Sequence, residues 1–106
     1  MKTDQVVSAL SALAQPTRLA IYRMLVAAGR DGLAAGQIAE KMEAAPASLS
    51  FHFKTLNHAG LVESRQDGRF IYYAANFDVM NGLVGYLTEN CCGGNSETCK
   101  VPSKKC

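Results

Sequence analysis

Three local signals follow one another between residues 35 and 73, and together they leave this chain few folds to choose from. Ile38, Ala39 and Met42 form the apolar face of a short helix, and a turn through Glu43-Ala44-Ala45 follows. Pro46 suits the first position of the next helix, where its missing N–H costs nothing. In that helix Leu49, Phe53 and Leu56 recur at i, i+4 and i+7, the spacing of one buried face, and Gly60 is predicted to end it. Two short helices joined by a tight turn make a helix-turn-helix. Immediately afterwards the β-prone segments 61–66 and 69–73 flank Asp67-Gly68, a strong hairpin signal. A helix-turn-helix followed at once by a hairpin with Arg65 and Arg69 around its tip predicts a winged helix-turn-helix. The expected fold class is mainly α with a β-hairpin wing, five helices plus a two-stranded wing.

The remaining helices flank this unit. Val6, Val7, Leu10 and Leu13 predict a first helix over residues 4–14. Pro16 opens a second, with Leu19, Ile21, Tyr22, Leu25 and Val26 on its apolar face and a stop near Gly29. Phe77, Met80, Leu83, Val84 and Leu87 predict a last helix that starts near Asn76 and Asp78, runs into Cys91-Cys92 and ends at Gly93-Gly94. The chain has 106 residues, room for a single core. It divides into a DNA-binding and dimerisation domain, residues 1–90, and a cysteine-rich tail, residues 91–106. No run approaches the ~18 consecutive apolar residues of a membrane span. Asp4 and Gln5 stand where a signal peptide needs its apolar run, so the expected compartment is the cytoplasm.

Subtracting the buried positions of the helix that begins at Pro46 leaves Ala47, Ser48, Ser50, Phe51 and Lys54 facing outward. Small hydroxyl side chains there let a helix enter a DNA major groove closely and bond base edges or phosphates. His52 lies between the two faces, either as a phosphate donor or as a hydrogen-bonded structural histidine. Arg65 and Arg69 are placed to grip backbone phosphate or a minor groove. Charge alone does not single out a nucleic-acid binder. Three lysines against Glu97 in residues 91–106 account for the whole net charge of +2, and residues 1–90 are formally neutral. Contacts to DNA are therefore expected to be focused, with a modest salt slope. The apolar stripes of residues 4–14 and 77–90 are surplus to a winged-helix core. Pairing them across a two-fold axis would make a homodimer and set two recognition helices roughly 34–36 Å apart, one DNA turn.

All four cysteines, Cys91, Cys92, Cys99 and Cys106, lie in the last 16 residues. A disulfide scaffold spreads its cysteines to cross-link the fold, which this cluster cannot do. A reduced thiol cluster for metal binding or redox chemistry is the better reading. An enzyme is disfavoured. A nucleophilic cysteine wants a helix N-terminus and an anion cradle, whereas these cysteines end a helix, where the dipole disfavours thiolate.

The segments Leu13-Ala14-Gln15-Pro16-Thr17-Arg18-Leu19, Ser48-Leu49-Ser50-Phe51-His52-Phe53-Lys54-Thr55-Leu56, Ala59-Gly60-Leu61-Val62 and Gly68-Arg69-Phe70-Ile71-Tyr72-Tyr73 resemble the ArsR/SmtB family of metal-sensing repressors over about residues 5–90. The resemblance implies a homodimer that binds a palindromic operator in double-stranded DNA and releases it when a thiophilic or borderline metal binds. It places Ser48, Ser50 and His52 on the recognition helix and Arg65 and Arg69 on the wing. Two of the family's sensing sites are missing: Ala34 and Gly36 replace a Cys-x-Cys, and Asp78 is followed by Met80 where a His would be needed. The C-terminal cluster resembles the relocated three-cysteine arsenic site of some members. Trivalent arsenic and antimony are soft and take three thiolates in a pyramid. Adjacent Cys91 and Cys92 supply two, and Gly93-Gly94 permits the reversal that returns Cys99. The expected ligands are Cys91, Cys92 and Cys99, with Cys106 spare, and arsenite or antimonite is the expected inducer. Alternatives using the same residues are a Cd, Pb or Zn site, a thiol redox switch, and inert surface thiols. A winged-helix protein-interaction module with a structural metal tail is a further alternative, and it would bind no operator.

Overall fold

The computed structural model describes residues 1–94, so Cys99 and Cys106 lie outside the described residues. In chain order the elements are α1 (Thr3–Leu13), α2 (Pro16–Ala28), β1 (Leu33–Ala34), α3 (Ala35–Met42), α4 (Pro46–His58), β2 (Val62–Asp67), β3 (Phe70–Ala75) and α5 (Phe77–Leu87). A short 3-10 turn, Cys91–Gly94, follows. The five helices agree with the periodicity, and local chemistry explains where they start. Pro16 and Pro46 occupy first turns. The Gln15 side chain caps α2 by accepting from the Arg18 N–H at 2.8 Å, and the Asn76 side chain caps α5 by accepting from the Val79 N–H at 3.2 Å.

The sheet departs from expectation in two ways. It has three antiparallel strands in the order β1-β3-β2, because Leu33 pairs with Tyr73 and Ala34 with Tyr72. A two-residue strand carries no periodicity to detect. The hairpin turn also sits one residue later than expected. Asp67 pairs with Phe70, so the loop is Gly68-Arg69, with Gly68 taking the positive φ of +63°. Arg69 is therefore at the tip of the wing rather than in its second strand.

Ile21, Leu25, Ile38, Leu56 and Leu61 form the fully buried centre, joined by Leu49, Phe53, Phe77 and Leu83. From α1 the core takes Val6, Ala9 and Ala12, small residues that let the helix pack closely. Val7 and Leu10 on α1 are exposed, as are Leu19 on α2 and Val84 and Leu87 on α5. The α5 helix is also shorter than predicted. It ends at Leu87, its last turn closed by the Thr88 N–H, and Asn90 at φ 58° separates it from Cys91. Cys91 and Cys92 thus sit on a separate turn and not on the end of α5.

Candidate nucleic-acid interface

Helix α4 is held in place by what it buries. Leu49, Phe53 and Leu56 face the core, and the Phe53 ring stacks on Tyr73 of β3 with centroids 4.4 Å apart. That packing locks α4 to the root of the wing. Burial of the Tyr73 phenol raises its pKa, because the phenolate is poorly solvated there. Between α3 and α4 the chain turns at Glu43, which adopts the left-handed conformation at φ 53°, and the Ala44 N–H donates to the Ala39 carbonyl at 3.0 Å.

Ala47, Ser48, Ser50, Phe51 and Lys54 are all exposed, so α4 presents one continuous outward face of the expected composition. The Ser50 hydroxyl donates to the Ala47 carbonyl at 3.0 Å, which turns its lone pairs outward as acceptors. Phe51 is 68 % exposed, a large apolar ring on a face of otherwise small or polar chains. His52 is half-buried, and its Nδ1 lies 3.3 Å from the Arg18 guanidinium. Arg18 was not singled out as a site residue by sequence reasoning. The available signal was its place in the first turn of α2, from which a side chain leans back toward the preceding helix.

The two wing arginines separate in role. The Arg65 guanidinium lies 4.8 Å from the Tyr72 ring centroid and donates to the Asp31 carbonyl at 3.1 Å. It braces the wing against the loop before β1. Arg69, at the exposed turn, is the arginine that extends from the wing tip.

At the other end of the molecule α1 and α5 are tied by a hydrogen bond between the Thr3 and Tyr86 hydroxyls at 2.7 Å. Their exposed Val7, Leu10, Val84 and Leu87 form the surplus apolar surface. Beyond α5 the Cys91 and Cys92 sulfurs are 3.5 Å apart. Cys92 is a free, exposed thiol, whereas Cys91 is disulfide-bonded. Among the described residues no three His, Cys, Asp or Glu side chains converge as a metal site. Cys99, the third expected ligand, and the spare Cys106 lie outside the described residues. No helix among the described residues is long and apolar enough to cross a membrane.

The family described as "Helix-turn-helix domain" matches residues 13–65. Among curated proteins, the HTH-type transcriptional regulator YceK of Bacillus subtilis is 39 % identical over 77 residues, 72 % of this chain and 76 % of its own length. The nodulation protein NolR of Rhizobium meliloti is 35 % identical over 76 % of this chain, which spans only 63 % of NolR. Both signs of regulation occur among such relatives: the transcriptional repressor SdpR of Bacillus subtilis is 33 % identical over 72 % of this chain, and the transcriptional activator HlyU of Vibrio cholerae is 27 % identical over 81 %. Of solved structures, an ArsR-like transcriptional regulator from Rhodococcus sp. RHA1 superposes with a TM-score of 0.72 at 26 % identity, covering 89 % of this chain and 86 % of that one. Mb0332 from Mycobacterium bovis, a homodimeric winged helix-turn-helix DNA-binding domain, gives 0.65 at 28 %, covering 87 % and 85 %. A chain described as "Possible transcriptional regulator for arsenical resistance" gives 0.66 at 29 %, covering 76 % and 80 %. These relatives are regulators of transcription and not enzymes. The chain belongs to the helix-turn-helix family of transcriptional regulators, and its structural neighbours include winged-helix regulators of the ArsR type.

Proposed function

We propose that this regulator is a homodimeric repressor that binds a palindromic operator and leaves it when trivalent arsenic or antimony binds its C-terminal cysteines. The observation that carries the DNA reading is the exposed face of Ala47, Ser48, Ser50, Phe51 and Lys54, on a helix whose opposite face is locked into the core. Phosphate contacts from Arg69 and Lys54 fix register, and the small residues admit the helix to the major groove. The exposed apolar residues of α1 and α5 support pairing of two copies. The homodimeric neighbour Mb0332 supports the same arrangement. A DNA-binding role supports the cytoplasm as its compartment.

For the inducer, the support is the donor set. Cys91 and Cys92 are adjacent in the chain with their sulfurs 3.5 Å apart, and thiolates suit a soft ion. Only thiolates bind, so Cys91 must first be freed from its disulfide by a dithiol reductant. Cys91, Cys92 and Cys99 then close on one ion and tie the tail to the turn after α5. The dimer repacks there, and the two recognition helices lose their common register on DNA.

The disulfide at Cys91 favours a second reading, in which thiol oxidation itself is the signal. A Cd, Pb or Zn response through the same thiols is a third outcome. Fluorescence anisotropy on DNA from the gene's own upstream region separates them. Reduced protein should bind and be released by micromolar arsenite, and Cys99→Ser should abolish that release. Release by diamide in place of arsenite would make the switch redox, and release by zinc or cadmium alone would make the site tetrahedral. No binding to that DNA under any condition would overturn the repressor reading.

A further inference from the structure

We propose that Arg18 is a positioning residue for DNA recognition: it holds His52 as the neutral, Nε2-protonated imidazole, so that α4 presents a hydrogen-bond donor at this position and never an acceptor. The inference rests on α4 being the recognition helix. Arg18 is itself held by two backbone-linked contacts. Its Nε donates to the Ala12 carbonyl at 2.7 Å, and its N–H is capped by the Gln15 side chain at 2.8 Å. From that anchored position one terminal nitrogen lies 3.3 Å from His52 Nδ1. A guanidinium has five N–H donors and no lone pair to offer, so the imidazole must be the acceptor. An Nδ1 that accepts carries no hydrogen. The ring's hydrogen is then on Nε2, which is left as a donor on the half-buried flank of α4, one turn beyond Ser48.

The charge beside the ring indicates what that donor meets. The Arg18 guanidinium, 3.3 Å from Nδ1, polarises the imidazole so that its Nε2–H favours an electron-rich acceptor. The partner is an oxygen or nitrogen acceptor on DNA, supplied by a phosphate or by a purine edge.

The test combines imidazole 15N NMR with DNA binding. Long-range 15N–1H spectra of the full chain should show His52 with a bare Nδ1 and a protonated Nε2. Arg18→Met, which keeps the aliphatic stem and removes the donors, should yield a mixture of tautomers and bind upstream DNA about tenfold more weakly. Because a Gln amide reaches the Nε2 position and an Asn amide the Nδ1 position, His52→Gln should stay within about threefold of wild type, whereas His52→Asn should fall about tenfold. An equal loss on specific and scrambled duplexes would place the acceptor on a phosphate. A loss confined to the specific duplex would place it on a base, and both results support the proposal. An Nδ1–H or doubly protonated ring in the wild type, an unchanged tautomer in Arg18→Met, or an Asn variant that binds as well as the Gln variant would overturn it. The spectra and the His52 pair do not depend on Arg18→Met folding. Failure of wild-type protein to bind any upstream DNA would instead overturn the recognition-helix reading, and the presentation of a donor to DNA with it.

Discussion

Gly32 shows how one residue can hold a wing to its body. It sits at φ +70° with its open face against β3, where an added Cβ would fall on the Tyr73 carbonyl oxygen. Both the backbone conformation and the contact with main-chain atoms oppose any side chain. Gly32→Ala should therefore destabilise the protein by at least about 2 kcal/mol in urea unfolding, and an unchanged midpoint would refute the close approach. Tyr73, on the other side of this contact, makes a pH prediction. Its folded pKa is raised above the ordinary value of 10.0 by burial. The stability it contributes is complete below that ordinary value and is lost as pH rises through the raised folded value. Tyr73→Phe, which keeps the stack on Phe53, should flatten the alkaline limb of stability above about pH 10. Neither effect could be read from the sequence, because each depends on a neighbour about 20 to 40 residues away.

Among the elements, α4 was the most legible. Its start at Pro46, its buried Leu49, Phe53 and Leu56 and its outward residues all followed from helical periodicity. The exposed Phe51 ring then makes a testable statement about DNA. An apolar ring at a groove-facing position contacts a thymine methyl. Phe51→Ala should weaken operator binding about fourfold per half-site, the factor for one methyl-sized contact, and leave thermal stability nearly unchanged. Equal loss on DNA made with deoxyuridine in place of thymidine would refute the methyl contact, since that DNA lacks the group already. The wing was legible in outline only. Its hairpin followed from Asp67-Gly68, but the turn settled on Gly68-Arg69. With the turn one residue later, Arg69 went to the tip, while Arg65 lies mid-strand, where Tyr72 and Asp31 hold it. Helix α5 shows the opposite failure. Apolar periodicity continued toward the cysteines, yet the backbone turned at Thr88, because the helix had no further core to cover.

At the scale of the molecule, the exposed apolar residues of α1 and α5 bear on assembly. Val7 and Leu10 face outward in the protomer, as do Val84 and Leu87, and these are the stripes expected from the sequence to pair across a two-fold axis. Leu10→Glu combined with Val84→Glu should leave the protomer folded by circular dichroism, since both positions are solvent-exposed in it. The same change should yield monomers by sedimentation and lower operator affinity at least about tenfold, because one half-site binds without its partner. A folded dimer in that variant would move the interface elsewhere.

Helix positions, the hairpin, the helix-turn-helix spacing and the outward face of α4 were set by the sequence itself. Each depends on interactions within a few residues, such as an i, i+4 apolar repeat, a proline in a first turn or a glycine at a tight turn. Tertiary structure decided the rest. It paired Leu33 with Tyr73, brought Arg18 to His52, captured Arg65 on Asp31 and joined Thr3 to Tyr86. Those partners are 34 to 83 residues apart. Contacts at such separations form only after the intervening loops close around a shared core, so their energy appears nowhere in the local pattern that precedes it.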